Sequence, residues 1–238
     1  MKVLVTGHKG FIGRYVYADW KNLGHEVDGI DYPDDVANFK GGDYQLVIHL
    51  AAWADIRESL DHPDDYYQNN VVRAKNLFNW CRDYNVRLLY ASSSAVDGPY
   101  WENPYGMTKW INELMAPPNS VGMRFTTVYG PDSRDNMMYG MLKDGTAPYV
   151  TNHKRDWIHV KDVCRAIRYL ATSTICGPVP IGVGKSIPVR QLAEAFGHGD
   201  LPVKTDTPGE AEDNVADISI IKSIGWTPTI NILDTVND

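Results

Sequence analysis

A short apolar run, VLVT at residues 3–6, leads without a break into Gly7, Gly10 and Gly13, and then into an amphipathic stretch. No other junction constrains the fold as tightly. A packed core has no use for so many bare backbone positions in a row, whereas a phosphate group does. In the first turn of a βα unit, one glycine permits the tight turn, a second lets the backbone approach a pyrophosphate, and a third lets the helix pack on the strand. The helix N-terminus then presents free N–H groups and the positive end of its dipole to the anion. The spacing here, G-x-x-G-x-x-G, matches the G-x-G-x-x-G fingerprint in kind only. Asp31 closes the next apolar run, 18 residues after Gly13. A carboxylate there accepts hydrogen bonds from ribose hydroxyls and repels a 2′-phosphate, which favours NAD over NADP.

Strand-like and helix-like patterns alternate from that point. KVLVTG, HEVDGID, YQLVIHLAA, VRLLYASSS and SVGMRFTTVYG read as strands, and residues 11–23, 64–84 and 104–116 as helices. Continuous apolar strands alternating with helices predict an α/β fold, a Rossmann-like doubly wound parallel sheet covered on both faces. Beyond about residue 131 the pattern loosens into a loop with one helix. A helix over 160–172, a short strand near 179–183 and a helix over 187–196 follow. The expected organisation is an NAD-binding Rossmann-like domain over residues 1–131, joined by later segments around 156–185. Residues 132–155 and 186–238 are expected to form a small, reduced C-terminal substrate lobe.

The 238 residues suffice for a sizeable core. A formal net charge of −7 argues against a nucleic-acid partner, because binding to a phosphate backbone rests on excess Lys and Arg. Met1-Lys2 enters the first strand at once and leaves no room for a signal peptide. The longest apolar window, LVIHLAAWA at 46–54, is too short to cross a bilayer, so no membrane partner is expected. Cys81, Cys164 and Cys176 show neither pairing nor metal-ligand spacing, and their odd number suits a reducing, cytoplasmic compartment. Asp61, Asp64 and Asp65 around His62 read as a solvated helix start, so no metal is expected. His49, inside an apolar strand, reads as a hydrogen-bonded core histidine. Trp53 either faces a cleft or packs under a loop.

The stretch ENPYGMTKWINE starts with Asn103 as a helix cap and Pro104 at the first helical position. Tyr105 and Lys109 then stand one above the other on the same helix face. A neighbouring ammonium favours the phenolate, which makes Tyr105 usable as a general acid/base near neutral pH. Lys109 is also placed to reach a nicotinamide ribose. Upstream, LYASSSAVDG puts a serine cluster at the end of a strand, where ligands sit in open α/β sheets. One of those hydroxyls is positioned to hold the substrate oxygen that Tyr105 protonates or deprotonates.

With these motifs in order, the chain resembles the extended short-chain dehydrogenase/reductases, the NAD-dependent epimerase/dehydratases that act on nucleotide sugars. The resemblance covers nearly the whole chain and rests on VTGHKGFIG, VIHLAA, ESLDHPDDYYQNNV, YASSSAVDG, YGMTK, MRFTTVYGP, RDWIHVKDV and ADISIIKSIGWTP. It implies that Tyr105 is the acid/base, Lys109 its partner and Ser93 the catalytic Ser/Thr. It implies a dinucleotide loop of Gly7, Gly10, Phe11, Ile12 and Gly13, with Asp31, Leu50, Ala51, Ala52, Asn70, Tyr105, Lys109 and Val128 also at the cofactor. Ser93, Ser94, Thr127 and Arg155 fall on the substrate side, Arg155 matching an arginine that binds substrate diphosphate. The resemblance also implies a homodimer through helices 67–84 and 105–116.

Within the family, dehydratases carry acidic residues just after the catalytic Thr, where Ser94 and Ala95 stand here. Decarboxylases carry Glu at Ala95, and fucose-synthase-type enzymes need a Cys in the serine cluster. The pattern is therefore closest to UDP-galactose 4-epimerase-like enzymes, which implies hydride removal to NAD, rotation of the keto-sugar and return of the hydride to its other face. An NAD(P)H-dependent keto-sugar reductase and a non-catalytic dinucleotide sensor are the alternatives. Several departures fall on the substrate side. Only 12 residues separate Ser93 from Tyr105, the segment from Pro131 to Arg155 is short, Thr127 replaces an asparagine, and Thr207 stands where an arginine often precedes Pro-Gly. On the cofactor side, the usual third strand between Asp31 and Asp43 is missing.

Overall fold

Runs of Val, Leu and Ile that are apolar at every position, such as Val3-Leu4-Val5 and Val47-Ile48, can only be satisfied by burial on both faces of a sheet. The computed structural model, which describes residues 1–133, 137–205 and 207–236, shows that arrangement. The chain begins β1 (Lys2–Thr6), α1 (Phe11–Asn22), β2 (Glu26–Ile30), β3 (Leu46–His49), α2 (Ile56–Asp61) and α3 (Pro63–Tyr67). A π-helical turn (Gln68–Val72), α4 (Lys75–Asp83), β4 (Arg87–Ser93), α5 (Pro104–Met115), β5 (Ser120–Phe125) and β6 (Thr127–Tyr129) follow. Then come α6 (Met138–Lys143), β7 (Lys154–His159), α7 (Val160–Thr172), β8 (Gly177–Ile181), β9 (Ser186–Pro188), α8 (Val189–Ala195) and α9 (Ser219–Ser223).

Six strands form one parallel sheet in the order β2-β1-β3-β4-β5-β8. Side chains alternate between its faces. Val3, Val5, Ile48 and Leu89 pack with Val16 and Trp20 of α1 and with Val163, Ile167 and Leu170 of α7. Leu4, Val47, Leu88 and Tyr90 pack with Leu77, Phe78 and Cys81 of α4. Strand order reverses at β1, whose two neighbours are reached in opposite directions, so the crevice for ligands opens between the ends of β1 and β3. β2 is the sheet edge. The return from β2 to β3 carries only a single 3₁₀ turn, Val36–Asn38, and no strand among the described residues, as the sequence between Asp31 and Asp43 implied.

The expected helix over 64–84 is broken by the π-helical turn into α3 and α4. The expected strand SVGMRFTTVYG divides at Thr126, whose N–H donates to the Ile181 carbonyl at 3.1 Å. β5 stays in the main sheet, while β6 pairs with β7 and β7 with β9 in a small second sheet. That sheet shares a separate core with α6 and α8, built from Tyr129, Leu142, Trp157, Leu192 and Ile232. Two buried carboxylates tie down the C-terminal segment. Asp156 accepts from the N–H groups of Val183, Gly184 and Ala216, and Asp162 from those of Thr229 and Ile230. No helix among the described residues is long and apolar enough to cross a membrane.

The glycine turn joins β1 to α1 by direct backbone contact. Gly7 has a φ of +70°, and a Cβ there would lie 2.6 Å from the Ala51 nitrogen. A Cβ on Gly13 would overlap the Gly7 carbonyl oxygen, whereas one on Gly10 would meet only that same oxygen, at 3.2 Å. The fold therefore demands glycine at 7 and 13 but hardly at 10. Gly13→Ala is expected to cost about 3 kcal/mol or more, and Gly10→Ala about 1 kcal/mol or less. Urea titration of the two variants measures the contrast, and equal losses would contradict it.

Candidate active site

Gly10 caps α1 without any side-chain acceptor, so the first-turn N–H groups of the helix are open to an anion. Asp31, at the end of β2, braces this turn. Its carboxylate accepts from the Lys9 N–H at 2.7 Å and the Tyr32 N–H at 2.8 Å. Across the switch point, His49 lies opposite Thr6, and the Thr6 hydroxyl meets its Nδ1 at 2.7 Å. Burial, and secondarily the charge of Lys109, push His49 down to about 3, so it is a neutral core group, as its place in an apolar strand suggested.

From this turn a cleft of about 730 Å³ runs across the ends of the strands to the small lobe. Gly7, Gly10, Phe11, Ile12, Gly13, Leu50, Ala52 and Val128 line one end. Ser93, Ser94, Tyr105, Lys109, Thr127 and Arg155 line the rest. Three expected residues are not in its wall: Asp31, Ala51 and Asn70. Asn70 is buried, with its carboxamide spent on the Trp53 N–H and C=O and on the Thr108 hydroxyl, at 2.9, 3.0 and 3.1 Å. It holds the chain beyond β3 against α5 rather than facing the cleft. Trp53 lines the cleft and packs edge-on against Tyr66, with ring centroids 5.5 Å apart.

Helix α5 carries Tyr105 and Lys109 on its buried face. Asn103 caps it by accepting from the Gly106 N–H, and the Tyr105 N–H donates to the Ser59 hydroxyl at 3.2 Å. Asn112 donates to the Asn70 carbonyl at 3.0 Å. Three polar anchors thus fix the helix, and with it both functional side chains. The Lys109 ammonium donates to the Ala91 carbonyl at 2.9 Å and lies 5.7 Å from the Tyr105 ring centre. Burial pushes Tyr105 above its ordinary phenol value, with the Ser93 hydroxyl pulling the other way. In the free protein burial is the dominant influence on the phenol, and the serine opposes it.

The far end of the cleft holds groups that the sequence did not single out. Glu210, from the C-terminal segment, accepts from Arg57 Nε at 2.7 Å and from Arg155 Nη2 at 3.0 Å. Arg155 also donates to the Ala211 carbonyl at 2.8 Å and meets His153 Nδ1 at 3.2 Å. Thr207 bonds the other nitrogen of His153, also at 3.2 Å. Arg155 is thus a paired cation, not a free one. The Arg57 guanidinium stacks over Tyr149, 5.3 Å from the ring centre. Asn214 bridges Ser94 and Thr127. Arg57, Glu210 and Asn214 all come from loops or a short helix, so no periodicity marks them. Among the described residues no three His, Cys, Asp or Glu side chains gather as a metal site.

A parallel sheet with its cleft at the switch point, and a buried Tyr–Lys pair beside a strand-end serine, define an enzyme of the Rossmann-like α/β class. More specifically, the chain belongs to the NAD dependent epimerase/dehydratase family, whose model matches residues 3–180. Among curated proteins it is 31% identical to Protein CapI of Staphylococcus aureus, over 71% of this chain and 69% of that one. It is 26% identical to UDP-glucose 4-epimerase of Caenorhabditis elegans, over 95% of this chain and 93% of the relative. That alignment extends over 323 residues, so the relative carries insertions that this chain of 238 lacks. Among solved structures, MoeE5 in complex with UDP-glucuronic acid and NAD superposes with a TM-score of 0.87 at 25% identity, over 100% and 97% of the two chains. UDP-glucuronic acid 4-epimerase of Bacillus cereus, also with NAD, shares the fold with a TM-score of 0.87 at 24% identity, over 99% and 96%.

Lys109 is 2% exposed, and burial pushes it down to about 8. Below pH 8 both folded and unfolded chains hold its proton, and folding carries the full cost of burying the charge, on the order of 3 kcal/mol. Between about pH 8 and 10.5 the unfolded chain binds the extra proton, so this cost fades as pH rises. Lys109→Met is therefore expected to be more stable than wild type at pH 7, with the gap closing toward pH 10. Melting curves of both proteins across that range check this, and a constant gap would contradict it.

Proposed function

We propose that this chain is an NAD-dependent epimerase of a nucleotide sugar, 4-epimerase-like, with Tyr105 as its acid/base. One observation carries the reading: a glycine turn fit for a pyrophosphate, the Ser93–Tyr105–Lys109 group and a paired-arginine anion site share one continuous cleft. The turn fits NAD, since Gly10 is free of steric demand from the protein and the first-turn N–H groups have no side-chain cap. Similar structures hold NAD together with UDP-sugars, which supports the same assignment.

In this reading the bound nicotinamide supplies the hydride acceptor and donor. The protein's part is to move a proton and hold the sugar. Ser93 hydrogen-bonds the sugar hydroxyl, and Tyr105, entering the step as its phenolate, takes the hydroxyl proton at Oη as the carbon is oxidised and returns it on reduction. The positive charge of Lys109 and of an oxidised nicotinamide would offset the burial that raises the phenol in the free protein. Lys109 anchors the nicotinamide ribose and keeps a positive charge beside the phenol. Phe11, Ile12, Leu50 and Val128 line the cofactor end with apolar surface. Arg57 and Arg155 hold the diphosphate, and Tyr149 offers its ring beside them. Residues 1–131 and around 156–185 serve the cofactor, and 132–155 and 186–238 the substrate, residues 134–136, 206 and 237–238 lying outside those described. A homodimer through helices 67–84 and 105–116 is part of the reading, supported by exposed apolar residues on those segments, Val72 in the π-helical turn and Leu114 in α5 among them.

The test is the dinucleotide released when freshly purified protein is denatured. About one NAD per chain is expected, with Tyr105→Phe retaining NAD but losing at least 1,000-fold in turnover of a UDP-sugar, at or above the middle of the range for a general acid/base. A protein that purifies empty and consumes NADH or NADPH stoichiometrically would replace the epimerase with the keto-sugar reductase. Binding without turnover of any nucleotide sugar would leave the sensor.

A diphosphate must also displace Glu210 from the arginines or share them with it. Glu210→Gln removes the internal anion and leaves Arg155 buried without its partner, which is expected to destabilise the free protein by about 3 kcal/mol. UDP should then raise the melting temperature of Glu210→Gln by more than it raises that of wild type. Equal shifts on adding UDP would mean that the arginines do not receive the diphosphate.

A further inference from the structure

Ser94 and Thr127 stand side by side at the substrate end of the cleft, and both meet the same carboxamide. Asn214 Nδ2 lies 3.4 Å from Ser94 Oγ and 3.3 Å from Thr127 Oγ1. The carboxamide cannot be turned over, because its Oδ1 accepts from the Asp156 N–H at 2.7 Å. Asp156 is itself fully buried and tied to Val183, Gly184 and Ala216, so the anchor does not move.

This arrangement decides which way two hydroxyl protons point. A side-chain amide nitrogen has two hydrogens and no lone pair to offer, so it can only donate. Each hydroxyl that accepts one of those hydrogens must turn its own hydrogen elsewhere. Among the described residues neither Ser94 Oγ nor Thr127 Oγ1 donates to any protein acceptor. Both protons are therefore left for what occupies the cleft.

We infer that Asn214 is a positioning residue that sets Ser94 and Thr127 as a paired donor, making this end of the cleft select a sugar substituent rich in acceptor oxygens. The inference rests on the nucleotide-sugar reading above, with Ser94 next to Ser93 addressing the sugar rather than the nucleotide. Asn214 acts on the substrate through the two hydroxyls it orients.

Asn214→Asp is the informative change. The carboxylate keeps the bond from the Asp156 N–H but accepts from both hydroxyls, so their protons turn away from the cleft and the pair presents lone pairs instead. Asn214→Ala removes the carboxamide and leaves both hydroxyls free to rotate. Calorimetric titration of the holoenzyme with UDP, UDP-glucose and UDP-glucuronic acid compares the three proteins. For whichever sugar the wild type binds tighter than UDP, Asn214→Asp is expected to weaken binding at least 10-fold, and Asn214→Ala by less. UDP affinity and bound NAD should stay within 2-fold in both. A purely structural role predicts the opposite order, because Ala also loses the Asp156 bond that Asp keeps, and UDP would weaken alongside the sugars. That order, or unchanged sugar binding in both variants, overturns the inference alone. A wild type that binds neither sugar more tightly than UDP overturns the nucleotide-sugar reading, and the inference with it.

Discussion

The contact between Gly13 and the Gly7 carbonyl governs the rest of the structure. It brings the first turn of α1 against the end of β1 with no side chain between them. Because β1 is the strand at which the order reverses, this is also the mouth of the crevice. A bulkier residue at position 13 would lift α1, and with it Val16 and Trp20, off the face they share with α7. Packing and ligand room thus come from the same two glycines. Gly10 differs because the protein itself asks little of that position, and its lack of a side chain has meaning only toward a bound group.

The second dependency is α5, which buries Tyr105, Thr108, Lys109 and Asn112 on one face. Burying so many polar groups is unfavourable unless each finds a partner. Thr108 donates to the Tyr105 carbonyl, Lys109 to the Ala91 carbonyl and Asn112 to the Asn70 carbonyl. Behind the serines, Glu113 accepts from the Ser92 hydroxyl at 2.6 Å and grips Arg124 through both of its oxygens. Lys109 nonetheless retains its burial cost, as its lowered pKa records. That cost is one the proposed chemistry at Tyr105 and Lys109 would account for.

How much was legible in the sequence follows from how each part is built. The inner parallel strands β1, β3 and β4 announce themselves because burial on both faces leaves an unbroken apolar run. The Tyr–Lys pair is readable because helical spacing alone puts the two side chains on one face. β7 is not marked by its sequence, because KRDWIH opens on three consecutive charged residues and finds its partners in the small lobe. Thr126 ends one strand and starts another through a bond to Ile181, 55 residues away, which no local pattern records. Asn70 and Asp31 read as ligand contacts because their side chains suit that task. In the fold those side chains also brace the backbone that forms the cleft.

The far end of the cleft depends on the C-terminal segment. Without a carboxylate there, Arg57 and Arg155 would face each other at this end of the cleft without Glu210 between them. The C-terminal segment supplies that carboxylate. Asp156 draws Ala216 inward, Asn103 donates to the Gly209 carbonyl at 3.1 Å, and between those two anchors Glu210 reaches the arginines and Asn214 the hydroxyls. The two anchors are far cheaper than an extra lobe, because each uses a backbone group that needs a partner in any case. The cost is that the internal carboxylate occupies the arginines. Under the proposed function, affinity for an anionic ligand is then the difference between two similar ion pairs, and a small change at position 210 would have a larger effect on binding than its distance from Tyr105 suggests.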